Sequence, residues 1–239
     1  MTRAMRDRRA ADGRGARAAS TSWRASLRRH PSALLLAAQL LSLLLYPWID
    51  NTQEGRLLFG AVALVVIPLA VWVVNRSPSS TWIAWLLAIP AIALTVAGVL
   101  LGMPRVLPWS ASLEALLYFY AAGSLIHYML RDPHVSADDL FAAGATFTLL
   151  AWAFAYAYFV CQQWVPGSFT GLEPERDRSW VELLFLSFTN LSATGAGDVI
   201  PVAAPARVLV MLEQFAGVGY IAAVVSRLIG LSLVRGQRD

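Results

Sequence analysis

Apolar residues fall along the chain in long runs separated by short polar or proline-containing turns. Five runs cover residues 33–49, 57–74, 82–101, 113–130 and 140–160, and a sixth, broken by Arg227, covers 208–234. The first five are each about 17–21 residues, the length a helix needs to cross a hydrocarbon core roughly 30 Å thick. Pro68 and Pro90 lie inside two of them, which bilayer helices tolerate where neighbours satisfy the freed carbonyls. The pattern predicts an all-α membrane protein with six transmembrane helices.

One stretch breaks the pattern. Trp180–Leu191 is apolar but only 12 residues long, too short to cross, and it fits a re-entrant helix. Ser192-Ala193-Thr194-Gly195-Ala196-Gly197-Asp198 follows it. Small residues and glycines at membrane depth imply non-helical backbone, which must be buried in protein or line a water-filled cavity. The organisation expected is an Arg-rich arm over residues 1–31, a four-helix peripheral region over 32–131, a two-helix pore domain with the re-entrant loop over 138–234, and a short tail over 235–239.

Composition agrees. The chain is 57% hydrophobic and 14% charged, against roughly 25% charged in soluble domains. All 19 basic residues are Arg, and nothing in the sequence explains the missing Lys. The excess of positive charge reads as membrane orientation rather than nucleic-acid binding. With the N-terminus inside, the nine arginines of the arm join Arg76, Arg131, Arg227, Arg235 and Arg238 on the cytoplasmic side, leaving Arg56, Arg105, Arg176, Arg178 and Arg207 outside. That satisfies the positive-inside rule, places both termini in the cytoplasm, and suits the inner membrane of a bacterium. The first run ends in Tyr46-Pro47-Trp48-Ile49-Asp50 without a small-residue cleavage site, so it reads as a retained anchor rather than a signal peptide. Cys161 is the single cysteine, which allows no intrachain disulfide.

The segment Phe188-Thr189-Asn190-Leu191-Ser192-Ala193-Thr194-Gly195-Ala196-Gly197-Asp198-Val199-Ile200-Pro201 resembles the pore-helix end, selectivity filter and exit of bacterial six-transmembrane potassium-channel-like proteins. Pro166-Gly167-Ser168-Phe169 is similar to a turret segment of that branch. The likeness covers about the last hundred residues; the first four runs match in number and spacing. It implies passive cation flux through a backbone-carbonyl filter at Ala193, Thr194, Gly195, Ala196, Gly197 and Asp198.

The physics points the same way. Carbonyls can ring an ion if the strand alternates conformation, and Gly195 and Gly197 permit the positive φ this needs. Asp198 adds charge at the outer mouth. One chain supplies one such loop, so a homotetramer is expected, in contact with lipid and carrying K+ or Na+, with no cofactor, bound metal or nucleic acid. The family pattern has Thr at the filter start and an aromatic between the glycines. Here those positions are Ala193 and Ala196, and Thr194 stands where the family has an aliphatic residue. A non-selective cation channel, a non-conducting channel-like subunit and, lower, a secondary transporter are the alternatives.

Gly217 and Gly219 are candidates for a gating hinge or for close helix packing. Glu213, an intramembrane carboxylate, defaults to a functional reading, with support of the filter through Ser187 or Thr189 as the structural one. The run 113–130 carries no arginine ladder, which argues against a charge-driven voltage sensor. Glu114 and His127 mark its two ends, His127 as an interfacial polar residue, and His134 falls in an inside loop. The five residues after Val234 offer no sensing domain, so nucleotide or calcium gating would require a regulatory partner. No Gly-x-Ser-Gly turn or paired intramembrane carboxylates suggest an enzyme.

Overall fold

The computed structural model describes residues 31–49, 66–72, 74–75, 81–131, 137–173 and 176–236. Expectations for the arm, for residues 50–65, for His134 and for the last three residues lie outside these. The described chain is mostly helical: α1 (Pro31–Ile49), a helical stretch at 66–72, α2 (Thr81–Leu100), a 3-10 turn (Pro104–Val106), α3 (Leu107–Arg131), α4 (Ala137–Trp164), α5 (Trp180–Leu191) and α6 (Ala204–Gly236). Among the described residues four helices are long and apolar enough to cross a membrane, namely α2, α3, α4 and α6. The apolar part described in α1, Ser32–Leu45, is shorter.

Three helices begin earlier than hydropathy alone predicts, and each start has a chemical cause. α3 begins at Leu107 rather than at 113. Pro108 sits in its first turn, where a missing N–H costs nothing. Ser110, Ser112 and Glu114 dilute the hydropathy there, but Ser112 bonds back to the Pro108 carbonyl at 2.8 Å. α4 begins at Ala137 rather than at 140, with Asp138 and Asp139 in its first turn, where carboxylates meet the positive end of the helix dipole. α6 begins at Ala204 rather than at 208, with Pro205 in its first turn, again where a missing N–H costs nothing.

α4 is the hub. It packs against α1, α3, α5 and α6, while α2 packs on α3. Its apolar window is 67% buried, against 22% for α6. Small residues make this possible: Ala142, Ala145, Ala151, Ala153 and Ala155 of α4 are fully buried, as Ala121 and Ala122 of α3 nearly are. Without a hydrophobic drive between helices in lipid, such close backbone approach is what holds them together. Trp109 and Trp164, both largely exposed, meet edge to face at 6.0 Å at the shared end of α3 and α4, the place for interfacial aromatics.

The chain is not helix alone. Phe169 pairs with Pro201 and Thr170 with Ile200 in an antiparallel two-residue ladder, and the Val202 amide donates to the Ser168 carbonyl at 2.9 Å. This clip joins the segment after α4 to the segment before α6. Between them α5 starts on a capping box. Ser179 Oγ accepts from the Glu182 amide at 3.3 Å, and the Ser179 amide donates to Glu182 Oε2 at 2.7 Å.

Two orphan donors are met in this way. Ser179→Ala should therefore cost about 1 kcal/mol and lower the thermal unfolding midpoint in detergent, whereas Ser179→Asp, another good cap, should not.

Candidate functional site: the loop after α5

α5 ends in a Schellman motif. With Ser192 as C-cap, the Ala193 amide bonds the Asn190 carbonyl at 3.0 Å and the Thr194 amide bonds the Thr189 carbonyl at 2.9 Å. The Gly195 amide shares that Thr189 carbonyl at 3.1 Å. The residue after such a cap must be left-handed, and here it is Ala193, at φ 58°. Gly195 follows at φ 65°. Sequence reasoning gave the alternating positive φ to Gly195 and Gly197; in the structure it falls on Ala193 and Gly195 instead, because the helix cap sets the phase. A Cβ on Gly197 would meet Thr189 Oγ1 at 3.7 Å and Phe185 at 4.0 Å, ordinary contacts.

Residues 193–198 are exposed within the single chain, and burial resumes at Val199. Thr194 Oγ1 bonds back to the Thr189 carbonyl at 3.1 Å. Beside the loop lies an open hollow of about 500 Å³, lined by Val181, Glu182, Phe185, Ala196, Gly197 and Asp198. Ala196 is too small to occupy it.

Behind the loop, Glu213 of α6 is fully buried. Ser187 of α5 and Tyr158 of α4 both donate to its carboxyl, and Ser187 also reaches the Ala151 carbonyl of α4 at 2.8 Å. Three helices thus meet at one carboxyl. Thr189 does not take part, contrary to one sequence expectation. It donates to the Leu186 carbonyl at 2.9 Å, because its position on α5 turns it toward its own helix and the loop. Tyr158 was missed; a lone tyrosine in an aromatic-rich span carries no periodic signal.

The two glycines of α6 separate. A Cβ on Gly217 would come within 2.1 Å of the Leu191 carbonyl oxygen, while one on Gly219 meets nothing within 4 Å. Gly217 is therefore where α6 presses on the last turn of α5, and Gly219 faces open space.

The start of α5 is pinned by Gln162, which the sequence reading did not single out, and by Arg176 and Arg178, which it used only to count charge. Gln162 of α4 donates to the Arg178 carbonyl at 2.8 Å and accepts from the Arg178 amide at 3.1 Å, a side chain imitating a strand partner. The buried Arg178 guanidinium donates to the carbonyls of Glu173 and Arg176. Gly171 leaves room for it, since a Cβ there would meet Arg178 Nη1 at 2.6 Å and the Asp198 carbonyl at 3.3 Å. Exposed Arg176 forks onto Glu182 with two bonds of 2.9 Å. Burial pushes the Glu182 carboxyl up, but Arg176 and the Ser179 cap outweigh it and hold it below its ordinary value of 4.5.

Two helices long and apolar enough to cross a membrane, α4 and α6, bracket the short capped helix α5 and its exposed glycine-bearing loop. Residues 145–231, which span those elements, match the family model described as "Ion channel", and this match supports an ion-channel pore-loop family for the segment. No curated protein and no solved structure matches the chain.

Gly217→Ala should drive α6 off α5 and abolish assembly of a folded protein. Gly219→Ala should fold normally and gain up to about 1 kcal/mol of helix propensity; gel filtration and thermal unfolding of the pair decide it. Acid supplies a second check. A carboxyl with a lowered folded pKa stabilises fully above its unfolded value and loses that contribution as pH falls through the folded value. The unfolding midpoint of the parent should therefore exceed that of Glu182→Gln at neutral pH, with the gap closing below pH 4.5.

Proposed function

We propose that the chain is the pore-forming subunit of a homotetrameric, potassium-channel-like cation channel. In this reading it spans the membrane six times, both termini face the cytoplasm, and α5 with its loop re-enters from outside. The membrane is the bacterial inner membrane, and the permeant ion is K+ or Na+. The observation that carries the reading is the loop itself. A capped helix delivers two successive alternate left-handed residues, Ala193 and Gly195, into a segment that its own chain leaves uncovered. Carbonyl ligation of a dehydrated cation needs such alternation and needs further copies to close the ring.

α6 supports the multimer. Its buried positions, 206, 210, 213, 217 and 220, form a single narrow stripe. The rest of the helix presents apolar residues outward, among them Met211, Leu212, Phe215, Val218 and Val225. Phe215 is 82% exposed, which is costly beside a water-filled path and suits contact with lipid or a second chain. Gly217 serves packing in this conformation, which leaves Gly219 as the freer hinge position.

Selectivity between K+ and Na+ should be weak. The hollow beside Ala196 leaves the outer loop without a brace, and a tenfold preference corresponds to only about 1.4 kcal/mol. Ala193 supplies no hydroxyl ligand, and a Thr at φ 58° would be a backbone outlier. The brace is therefore the part that substitution can restore.

Purified protein in liposomes under K+, Na+ and Cl− gradients tests this. Cation flux with a small K+ over Na+ preference is expected, rising severalfold in Ala196→Tyr. Gly195→Val should abolish flux, since a β-branched residue opposes positive φ; Gly195→Ala should only weaken it, because Ala193 already adopts that region. Strong K+ selectivity in the parent contradicts the unbraced filter, and full flux in Gly195→Val contradicts its location.

A further inference from the structure

α6 leaves one polar side chain uncovered at membrane depth. Between Arg207 and Ser226 every other exposed residue is Val, Leu, Ile, Met, Phe, Ala or Gly, and Gln214 is the exception among these described residues. Counted from Ala204, where α6 begins, Gln214 lies roughly 15 Å along the helix. That is the middle of a hydrocarbon core roughly 30 Å thick. Lipid offers an amide no hydrogen bond, so an uncovered one at this depth is costly unless it meets water or protein.

The neighbours of Gln214 show which way it faces. Its Nε2 donates to Asn190 Oδ1 at 3.3 Å. Asn190 lies in the last turn of α5, and its own carbonyl accepts from the Ala193 amide at 3.0 Å. The Gln214 amide therefore touches the residue that closes the cap at the start of the loop. With Nε2 so held, Oε1 is left as the acceptor at the exposed end of the side chain. Val218, Ile221 and Val225 follow on the same helix face, at spacings that match the helical repeat, and all three are exposed. Phe215 is turned about 100° further round and is 82% exposed. α6 thus has two outward faces, one headed by an amide at the end of α5 and one headed by a bare aromatic ring.

We propose that Gln214 faces the water-filled path at the inner end of the loop and determines conductance, its Oε1 attracting the hydrated monovalent cation as it enters or leaves the loop. The proposal rests on the pore reading above. Four copies would set four amide oxygens around one axis, each a partial negative charge. The face of Gln214, Val218, Ile221 and Val225 then lines the path, and the Phe215 face meets lipid or the next chain.

Thiol labelling reads the facing without any need for conduction. Cys161, the single cysteine, is replaced by Cys161→Ala in the full chain. Gln214→Cys and Phe215→Cys are then made separately, reconstituted in liposomes, and exposed on both sides to a charged, membrane-impermeant methanethiosulfonate, with modification counted by mass spectrometry. Gln214→Cys should react on the order of tenfold faster, because water-soluble reagents reach only a hydrated thiol. Conductance reads the role. Gln214→Glu should raise single-channel cation conductance on the order of twofold by concentrating cations. Gln214→Leu should lower it severalfold with the oligomer unchanged in native mass spectrometry, and Phe215→Leu should leave it at the parental value.

Equal labelling at the two positions, or faster labelling of Phe215→Cys, overturns the proposal, and so does parental conductance in both Gln214→Glu and Gln214→Leu. If Gln214→Glu does not assemble, labelling and Gln214→Leu decide. The two readings fail separately. Full flux in Gly195→Val sinks the pore and the role of Gln214 with it; lost flux there, with labelling no faster at Gln214→Cys, sinks only the role of Gln214.

Discussion

Glu213 is the constraint on which the packing of α4, α5 and α6 depends. In a bilayer a helix cannot be held to its neighbours by the hydrophobic effect, because lipid is as apolar as leucine. α6 shows the difficulty in acute form, since it touches its own chain along one thin stripe. A fully buried carboxyl on that stripe, taking hydroxyls from Tyr158 of α4 and Ser187 of α5, fixes register and rotation of all three helices at once. One turn further along, Gly217 lets α6 reach the Leu191 backbone. Rotating α6 by one residue would bury the wrong groups at both points, so the two features define one docking geometry.

That geometry in turn determines the loop. The end of α5 is pressed from behind by α6, and its last carbonyls are consumed by the cap at Ala193 and Thr194. Gln162 and Arg178 hold the start of α5, and the two-residue ladder ties the loop's exit to the segment after α4. A loop clamped at entry and exit can keep strained residues in place between them. Ala193 is such a residue: an alanine in the left-handed region costs roughly 1–2 kcal/mol relative to a right-handed conformation, and it persists because the cap bonds over-determine it.

The sequence made α2, α3, α4 and α6 legible because long apolar runs leave little ambiguity, and α5 was legible because a small-residue exit bounds an apolar run too short to cross. Helix starts were less legible. Hydropathy discounts Ser, Asp and Glu, yet these residues begin helices by capping, by the dipole and by back-bonding. Ser187 and Glu213 were nameable as candidate partners because a carboxylate in an apolar span demands a donor. Tyr158, Gln162 and Arg178 were not, since each acts through a contact distant in sequence and belongs to a residue type common at membrane interfaces. The Ser179 and Glu182 spacing was a local signal that could have been used. The phase of positive φ in the loop was beyond glycine spacing alone, because it is counted from the helix cap and not from the glycines.

Two buried carboxyls have parallel logic. Glu213 binds α4, α5 and α6 to one another from behind the loop, and Glu114 of α3 takes hydroxyls from Thr95 of α2 and from Ser110 of its own helix. Each accepts hydroxyls from neighbouring side chains. Arginines flank the segment that holds the loop. Arg207 Nε donates to the Pro201 carbonyl at 3.2 Å, and Arg176 and Arg178, just before α5, bond to Glu182 and to carbonyls. Arg227 lies at the far end of α6, 3.9 Å from Asp139. Hydroxyl-to-carboxyl tethers therefore supply directional bonds between helices where lipid supplies no drive.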